Sequence, residues 1–183
     1  MDNGASSYRR FLDGEKEGLS EIVRTYADGL IFFINGYVGD INTAEDLTED
    51  VFAKLIAKKP RFSGRSSFKT WLYTIARNIA LDYIRHRPAH HEPISAAYSV
   101  SDATNIEERY ITEEEKRAFH NVLLRLSPDY RQVLYLVYFE DFDNAEAALL
   151  MNKSKRQIEN LLYRAKQALK KELEKEGMSY EKL

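Results

Sequence analysis

Apolar residues recur at intervals of three and four along almost the whole chain, and the alternation typical of strands is nearly absent. This spacing gathers the apolar side chains into one stripe along a helix. We therefore expect an all-α fold. The stripes and their flanking caps predict seven helices, over about 17–37, from Asn42 or Thr43 to just before Pro60, and over 68–87, 112–126, 128–139, 144–150 and 154–176.

Residues 88–112 lose this periodicity and are rich in Pro, Ser, Ala, Asp and Glu, which is typical of a linker. A chain of 183 residues suits one ordinary domain or two small ones. We expect two small helical domains, over 1–87 and 113–176, joined by a flexible acidic linker, 88–112. A short tail, 177–183, follows.

Charge is distributed unevenly along the chain, although its net charge is only -2. Residues 61–87 and 152–175 each carry a net charge of +5, whereas 88–116 carry -5. Two compact basic segments are typical of two surfaces that meet phosphate. Solvated helix faces give the same pattern, so charge alone leaves both interpretations open.

The last two predicted helices have the outline of a helix-turn-helix. Asn152 suits a turn that needs positive φ, and Ser154 with Gln157 forms a capping box at the start of the long helix. Its apolar stripe leaves five side chains outward near the N-terminal half: Arg156, Glu159, Asn160, Tyr163 and Arg164. Such positions enter the major groove, while Lys153, Lys155, Lys166 and Lys170 would contact phosphate. The alternative is a helical bundle with a charged exterior.

The third predicted helix and the preceding loop interleave cations with aromatic rings, which suits single-stranded nucleic acid. The candidates are Arg61, Phe62, Arg65, Lys69, Trp71, Tyr73, Arg77, Tyr83, Arg85 and Arg87. About half of the aromatic residues can instead belong to the core, and Trp71 is equally suited to be a packing anchor.

Several motifs resemble the extracytoplasmic-function (ECF) sigma factors of bacterial RNA polymerase, in the sigma-70 family. The resemblance to the family's second region rests on AEDLTEDVF at 44–52, FSGRSSFKTWLYTIARN at 62–78 and DYIR at 82–85. The resemblance to its fourth region rests on LSPDYR at 126–131 and YRAK at 163–166. It covers about residues 17–87 and 113–173.

This resemblance implies a factor that binds core RNA polymerase and directs initiation at specific promoters. Docking on the polymerase clamp is implied for Asp46, Glu49, Asp50 and Phe52. Melting of the minus-10 element and capture of a flipped base are implied for Arg61, Phe62, Ser66, Lys69, Trp71, Arg77 and Asn78. Reading of the minus-35 element is implied for Lys155, Arg156, Glu159, Asn160, Tyr163 and Arg164. The acidic linker would thread toward the polymerase active site, and a separate anti-sigma factor is an implied partner.

The helix predicted over 154–176, here called the reading helix, departs from the family pattern. Family members usually have a Thr-Val pair followed by basic residues, whereas this chain has Gln157, Ile158 and Glu159. A carboxylate repels phosphate but accepts a hydrogen bond from cytosine. The usual minus-35 consensus is therefore not expected.

Enzyme chemistry has little support in the sequence. Without cysteine the chain has no disulfide, thiolate zinc site or thiol nucleophile. His86, His90, His91 and Glu92 lie together, but no second cluster has ligand spacing, so we expect neither metal nor cofactor. We also expect no membrane insertion and a cytoplasmic location, since no long apolar run or signal peptide is present. The alternatives are a free-standing helix-turn-helix regulator and, less well supported, a nuclease.

Overall fold

The computed structural model describes residues 3–86, 122–123 and 125–177. Within these ranges every regular element is helical, which confirms the all-α prediction. The elements are α1 (Asn3–Leu12), α2 (Lys16–Val38), α3 (Ile41–Lys58), α4 (Phe68–His86), α5 (Pro128–Leu134), a π-helix (Tyr135–Phe139), α6 (Asn144–Met151) and α7 (Lys155–Lys175). The chain divides into two compact units, Met1–Ala96 and Ala97–Leu183.

The first unit is built around α2, which packs against α1, α3 and α4. Its core side chains come from the apolar stripes of these helices and include Leu30, Phe33, Val51, Leu55 and Leu72. Helix α2 ends at Gly39, whose φ of 73° is the left-handed conformation that glycine adopts without a steric penalty. The helix predicted over 17–37 matches α2. The helix predicted over 68–87 matches α4 as far as residue 86, where the described residues of this unit end.

Asp40 caps α3, so the prediction that Asn42 or Thr43 does so is wrong. Asp40 has extended backbone, and its carboxylate accepts from the Thr43 N–H at 2.9 Å and the Thr43 hydroxyl at 2.6 Å. The cap therefore forms directly after the turn at Gly39, because Asp40 is the first residue after it with the backbone angles that a cap requires.

Helix α1 was not predicted from the sequence. It lies against α2, where a Cβ on Gly18 would come within 2.3 Å of the Ser7 carbonyl oxygen. Ser7 donates to the Glu21 carboxylate at 2.7 Å, and Arg10 forms a salt bridge with the same carboxylate. The close backbone approach and this polar network hold α1 in place.

The second unit contains the predicted helix-turn-helix. Asp143 and Glu146 form a capping box at the start of α6, and Ser154 and Gln157 form the predicted one at the start of α7. Between the two helices Asn152 has φ of 53°, as predicted for the turn. The buried side chains of α7 are Ile158, Ala165, Leu169 and Leu173.

The element before α6 is less regular than predicted. Pro128 occupies the first turn of α5, as expected. The helix then widens to the π form, and the Glu140 N–H donates to the Tyr135 carbonyl. The predicted linker 88–112 and most of the predicted helix over 112–126 lie outside the described residues. No helix in the described part of the chain has the length and apolar character needed to cross a membrane.

Candidate nucleic-acid interface

An aromatic cluster of Tyr8, Phe62, Phe68 and Trp71 lies where the loop 59–67 meets α4. The centroid of the Trp71 ring is 5.3 Å from those of Tyr8, Phe62 and Phe68. Phe68 is fully buried, whereas Phe62 and Trp71 are half-buried. Trp71 is therefore a packing anchor in the free chain, and each of the two half-buried rings keeps part of its surface exposed.

The loop presents its charged and polar side chains outward. Arg61, Arg65 and Ser66 are exposed. At one end, Lys59 takes the left-handed conformation that ends α3, with φ of 43°. At the other end, the Ser67 hydroxyl accepts from the Thr70 N–H at 3.1 Å and so caps the first turn of α4.

Helix α4 adds further polar groups beside the loop. Asn78 is exposed, and Lys69 and Arg77 are half-buried. Tyr73 is fully buried, so it belongs to the core, which was the alternative left open for about half of these aromatic residues. Ile84 belongs to the apolar stripe of α4 but is 40 % exposed, because it lies near the C-terminal end of the helix.

The outer face of α3 is acidic. Asp46, Glu49 and Asp50 are exposed, as the docking prediction requires, and Glu45 extends the same face. Phe52 is only 9 % exposed and packs in the core, so in this structure it offers almost no surface to a partner. Ile56 belongs to the apolar stripe of α3 but is 51 % exposed, so it supplies an apolar side chain one turn beyond Phe52.

The N-terminal half of α7 presents one continuous polar face. All the predicted minus-35 residues are exposed: Lys155, Arg156, Glu159, Asn160, Tyr163 and Arg164. Tyr163 is 67 % exposed, which leaves most of its ring available. Within the described residues none of these side chains has a hydrogen-bond or ion-pair partner, so their polar groups face solvent.

Three of the lysines predicted to contact phosphate have intramolecular partners. Lys153 pairs with Asp129 at 3.1 Å, Lys170 lies 3.9 Å from Glu174, and the Lys166 ammonium lies 5.0 Å from the centre of the Tyr138 ring. Exposed ion pairs contribute at most about 1 kcal/mol, so phosphate can replace such partners at little cost.

The described residues contain no cluster of His, Asp and Glu that could hold a metal ion. Of the histidine group noted in the sequence, only His86 is described, and its ring nitrogen lies 2.7 Å from the Asp82 carbonyl oxygen. His90, His91 and Glu92 lie outside the described residues. The chemistry of the described surfaces is therefore that of cations, carboxylates, amides and aromatic rings.

Sequence reasoning missed Tyr8, which lies in the unpredicted helix α1. Its ring is 1 % exposed and its hydroxyl donates to the Pro60 carbonyl at 2.7 Å. Burial raises the pKa of Tyr8 to about 12, so the hydroxyl remains protonated at neutral pH. The spacing of Tyr8, Phe11 and Leu12 is a helical signal that could have revealed the element.

Both halves of the chain match the sigma-70 family. The Sigma-70 region 2 family matches residues 22–88, and the Sigma-70 region 4 family matches residues 116–169. Together they cover about two thirds of the chain. The acidic α3 and the basic α4 lie in the first match, and the helix-turn-helix lies largely in the second. These paired regions define a sigma factor.

Complete sigma factors are similar along most of their length. The ECF RNA polymerase sigma factor SigW of Bacillus subtilis is 26 % identical over 170 residues, covering 87 % of this chain and 91 % of SigW. SigX of the same organism is 28 % identical over 156 residues, covering 82 % and 80 %. The RNA polymerase sigma-H factor of Pseudomonas aeruginosa is 26 % identical over 171 residues, covering 88 % and 89 %.

Two solved structures share the fold. The sigma factor RpoE from Bartonella quintana, crystallised with the anti-sigma factor NepR, gives a TM-score of 0.66 at 23 % identity, covering 85 % of this chain and 96 % of RpoE. CnrH, in complex with the cytosolic domain of CnrY, gives 0.60 at 18 % identity, covering 94 % and 95 %. The chain belongs to the ECF sigma factors of the sigma-70 family.

Proposed function

We propose that this chain docks on core RNA polymerase through α3, holds the minus-10 element with the loop 59–67 and α4, and reads the minus-35 element with α7. One observation carries the proposal: the first unit has an exposed acidic helix beside a basic surface with aromatic rings. A free-standing regulator has no need of both surfaces in one small unit. The chain acts by binding and performs no chemical step itself.

The docking surface consists of the exposed carboxylates of α3, namely Asp46, Glu49 and Asp50, with Ile56 as its apolar component. Carboxylates on a helix attract a basic partner surface and steer its approach. The apolar side chain contributes buried area once the two proteins meet. Phe52 has a supporting role, because its ring packs beneath this face.

The minus-10 surface combines rings with cations. The exposed part of Phe62 offers a stacking surface for an unpaired base, and Trp71 supports it from beneath. Arg61, Lys69 and Arg77 supply the cations that would contact the phosphates of the non-template strand. Extruding a base costs a few kcal/mol, and hydrogen bonds from groups such as Ser66 and Asn78 offset part of that cost.

The minus-35 surface is the N-terminal half of α7. Arg156 and Asn160 are one helical turn apart and suit bidentate contacts to guanine and adenine. Lys155 and Arg164 suit phosphate contacts, which position the helix without carrying sequence information. Tyr163 provides both a ring and a hydroxyl at the same face. Glu159 restricts which bases the helix tolerates.

The division into domains 1–87 and 113–176, with the acidic linker 88–112 and the tail 177–183, belongs to this proposal. The linker's negative charge suits a channel built for nucleic acid. The RpoE structure contains the anti-sigma factor NepR, and the CnrH structure contains the cytosolic domain of CnrY. We propose that a separate anti-sigma factor binds this chain too. Transcription initiation at chromosomal promoters requires a cytoplasmic location.

A gel-shift assay tests the proposal. The chain, core RNA polymerase and a labelled promoter duplex are mixed singly, in pairs and together. We expect a heparin-resistant complex only when all three are present. If the chain alone retards duplex DNA and leaves the polymerase unaffected, the free-standing regulator becomes the correct account.

A further inference from the structure

One buried side chain, Tyr8 of α1, contacts the start of the loop 59–67 and the first turn of α4, which follows the loop. Its hydroxyl donates to the carbonyl of Pro60 at 2.7 Å, at the start of the loop. Its ring centroid lies 5.5 Å from that of Phe68 and 5.3 Å from that of Trp71, both in the first turn of α4. Tyr8 lies outside the segment that matches the Sigma-70 region 2 family, which begins at residue 22.

The loop has few other attachments. Among the described residues, those from 60 to 66 form no backbone–backbone hydrogen bond, and the Tyr8 hydroxyl supplies the hydrogen bond that the Pro60 carbonyl accepts. Ser67, at the other end of the loop, is joined to α4, because its carbonyl accepts from the Trp71 N–H at 3.1 Å. The second attachment is the Lys59 ammonium, which lies 5.5 Å from the centre of the Phe11 ring, also in α1. The third is Phe62, whose ring meets Phe68 edge-on at 5.6 Å.

A loop whose central residues lack backbone–backbone hydrogen bonds samples many conformations unless its neighbours restrain it. Ahead of Ser67, two of these three side-chain attachments come from α1, and the third rests on rings that Tyr8 itself contacts. The conformation in which Arg61 and Ser66 are exposed and Phe62 is half-buried therefore depends on α1.

We infer that Tyr8 is a positioning residue for strand capture, because it holds the loop in the conformation that receives the unpaired minus-10 strand. This inference rests on the proposed role of the loop. Tyr8 does not touch DNA, and it acts by reducing the conformational freedom that the loop would lose on binding.

Tyr8→Phe tests this role, because it keeps the ring and removes only the hydroxyl. Val51→Ala, in the core on α3, is the control for a simple loss of stability, and melting curves of both variants are measured beside wild type. Each protein is assembled with core RNA polymerase. The rate of open-complex formation is then measured on a duplex promoter and on the same promoter opened in advance across the minus-10 element.

We expect Tyr8→Phe to slow opening of the duplex promoter about threefold to tenfold, the range expected for the loss of one hydrogen bond. Polymerase affinity and activity on the opened promoter stay near wild type. Trp71 is the only tryptophan of the chain, and acrylamide should quench its fluorescence more strongly in Tyr8→Phe than in Val51→Ala.

The inference is overturned if Tyr8→Phe opens the duplex at the wild-type rate, or if it slows both promoters equally, as a loss of stability would. Promoter opening by the wild-type protein distinguishes a failure of this inference from a failure of the proposed function. If wild type opens neither promoter, the proposed function is wrong and the role of Tyr8 falls with it.

Discussion

Glu159 is the residue at which the reading helix differs most from a simple basic surface. It is exposed on the same face as Arg156 and Tyr163, close to where α7 would meet the phosphates. A carboxylate in that position costs phosphate affinity, so its presence is best explained by a base contact. A cytosine amino group is the donor in the major groove that suits it.

Replacing Glu159 by Gln should therefore change sequence preference. We expect discrimination at one minus-35 base pair to fall by about 1–3 kcal/mol, the usual cost of one mismatched pair. The measurement is transcription by the holoenzyme from a promoter library randomised across the minus-35 element. Glu174→Gln, the same change of charge farther along α7, is the matched control. An unchanged preference in Glu159→Gln would show that Glu159 does not contact a base.

At the scale of the helices, the attachment of α1 to α2 depends on a charged pair. Hydrogen bonds from Arg10 and then Ser7 lower the pKa of Glu21. A carboxyl group whose pKa is lower in the folded state stabilises the fold above its unfolded pKa, and this contribution is lost as the pH falls. The attachment of α1 should thus weaken in acid.

We expect Glu21→Gln to be less stable than wild type at pH 7, and this difference to shrink as the pH falls below about 4.5, the unperturbed value for Glu21. Thermal unfolding followed by circular dichroism between pH 7 and pH 3 measures it. Asp28→Asn, at an exposed position of α2, is the control and should follow wild type. A difference that is constant with pH would contradict the role of the ionised pair.

The turn between α6 and α7 depends on Asn152 and its positive φ. A β-branched residue in this conformation is strained, whereas glycine is not. We expect Asn152→Val to lower the free energy of unfolding by about 1–2 kcal/mol and Asn152→Gly to leave it nearly unchanged. Urea unfolding followed by circular dichroism measures both. Equal stability of the two variants would mean that the backbone conformation of the turn is not what constrains this position.

Elements marked by local signals could be predicted from the sequence. The turn at Asn152 and the capping box of Ser154 and Gln157 each depend on a few neighbouring residues, so the helix-turn-helix was predicted with its cap. The minus-35 surface followed from the same helix. Its exposed residues are those left over by the apolar stripe.

Long-range contacts explain what the sequence did not predict. Helix α1 is held by the close approach of Gly18 to Ser7 and by the hydrogen bond from Tyr8 to Pro60. Each of these contacts joins two residues that belong to different elements of the chain. The apolar stripe of α3 includes both Phe52 and Ile56, but only Phe52 faces the core. Periodicity shows where a stripe runs but not which of its edges a neighbouring helix covers.

At the scale of the whole molecule, surfaces of opposite charge are kept apart along the chain. In the proposed function the acidic face of α3 meets the protein partner, and the basic segments 61–87 and 152–175 meet DNA. The net charge of -2 hides this division. Each surface should therefore fail separately when its charges are changed.

Changing Asp46, Glu49 and Asp50 together to Lys should weaken the affinity for core RNA polymerase by at least about tenfold, because charge complementarity is reversed. Fluorescence anisotropy of the labelled chain measures this affinity. The exposed position of all three side chains predicts little change in thermal stability. Asp28→Lys on α2 controls for added positive charge, and an equal loss of affinity there would argue against a specific docking face.

The central claim is tested most directly by run-off transcription with core RNA polymerase, with and without this protein, on a library of promoter fragments. The account predicts defined start sites on a subset of fragments only when the protein is present. Those fragments should share a minus-10 and a minus-35 element at fixed spacing. An unchanged transcript pattern, with no binding to the core enzyme, would contradict it.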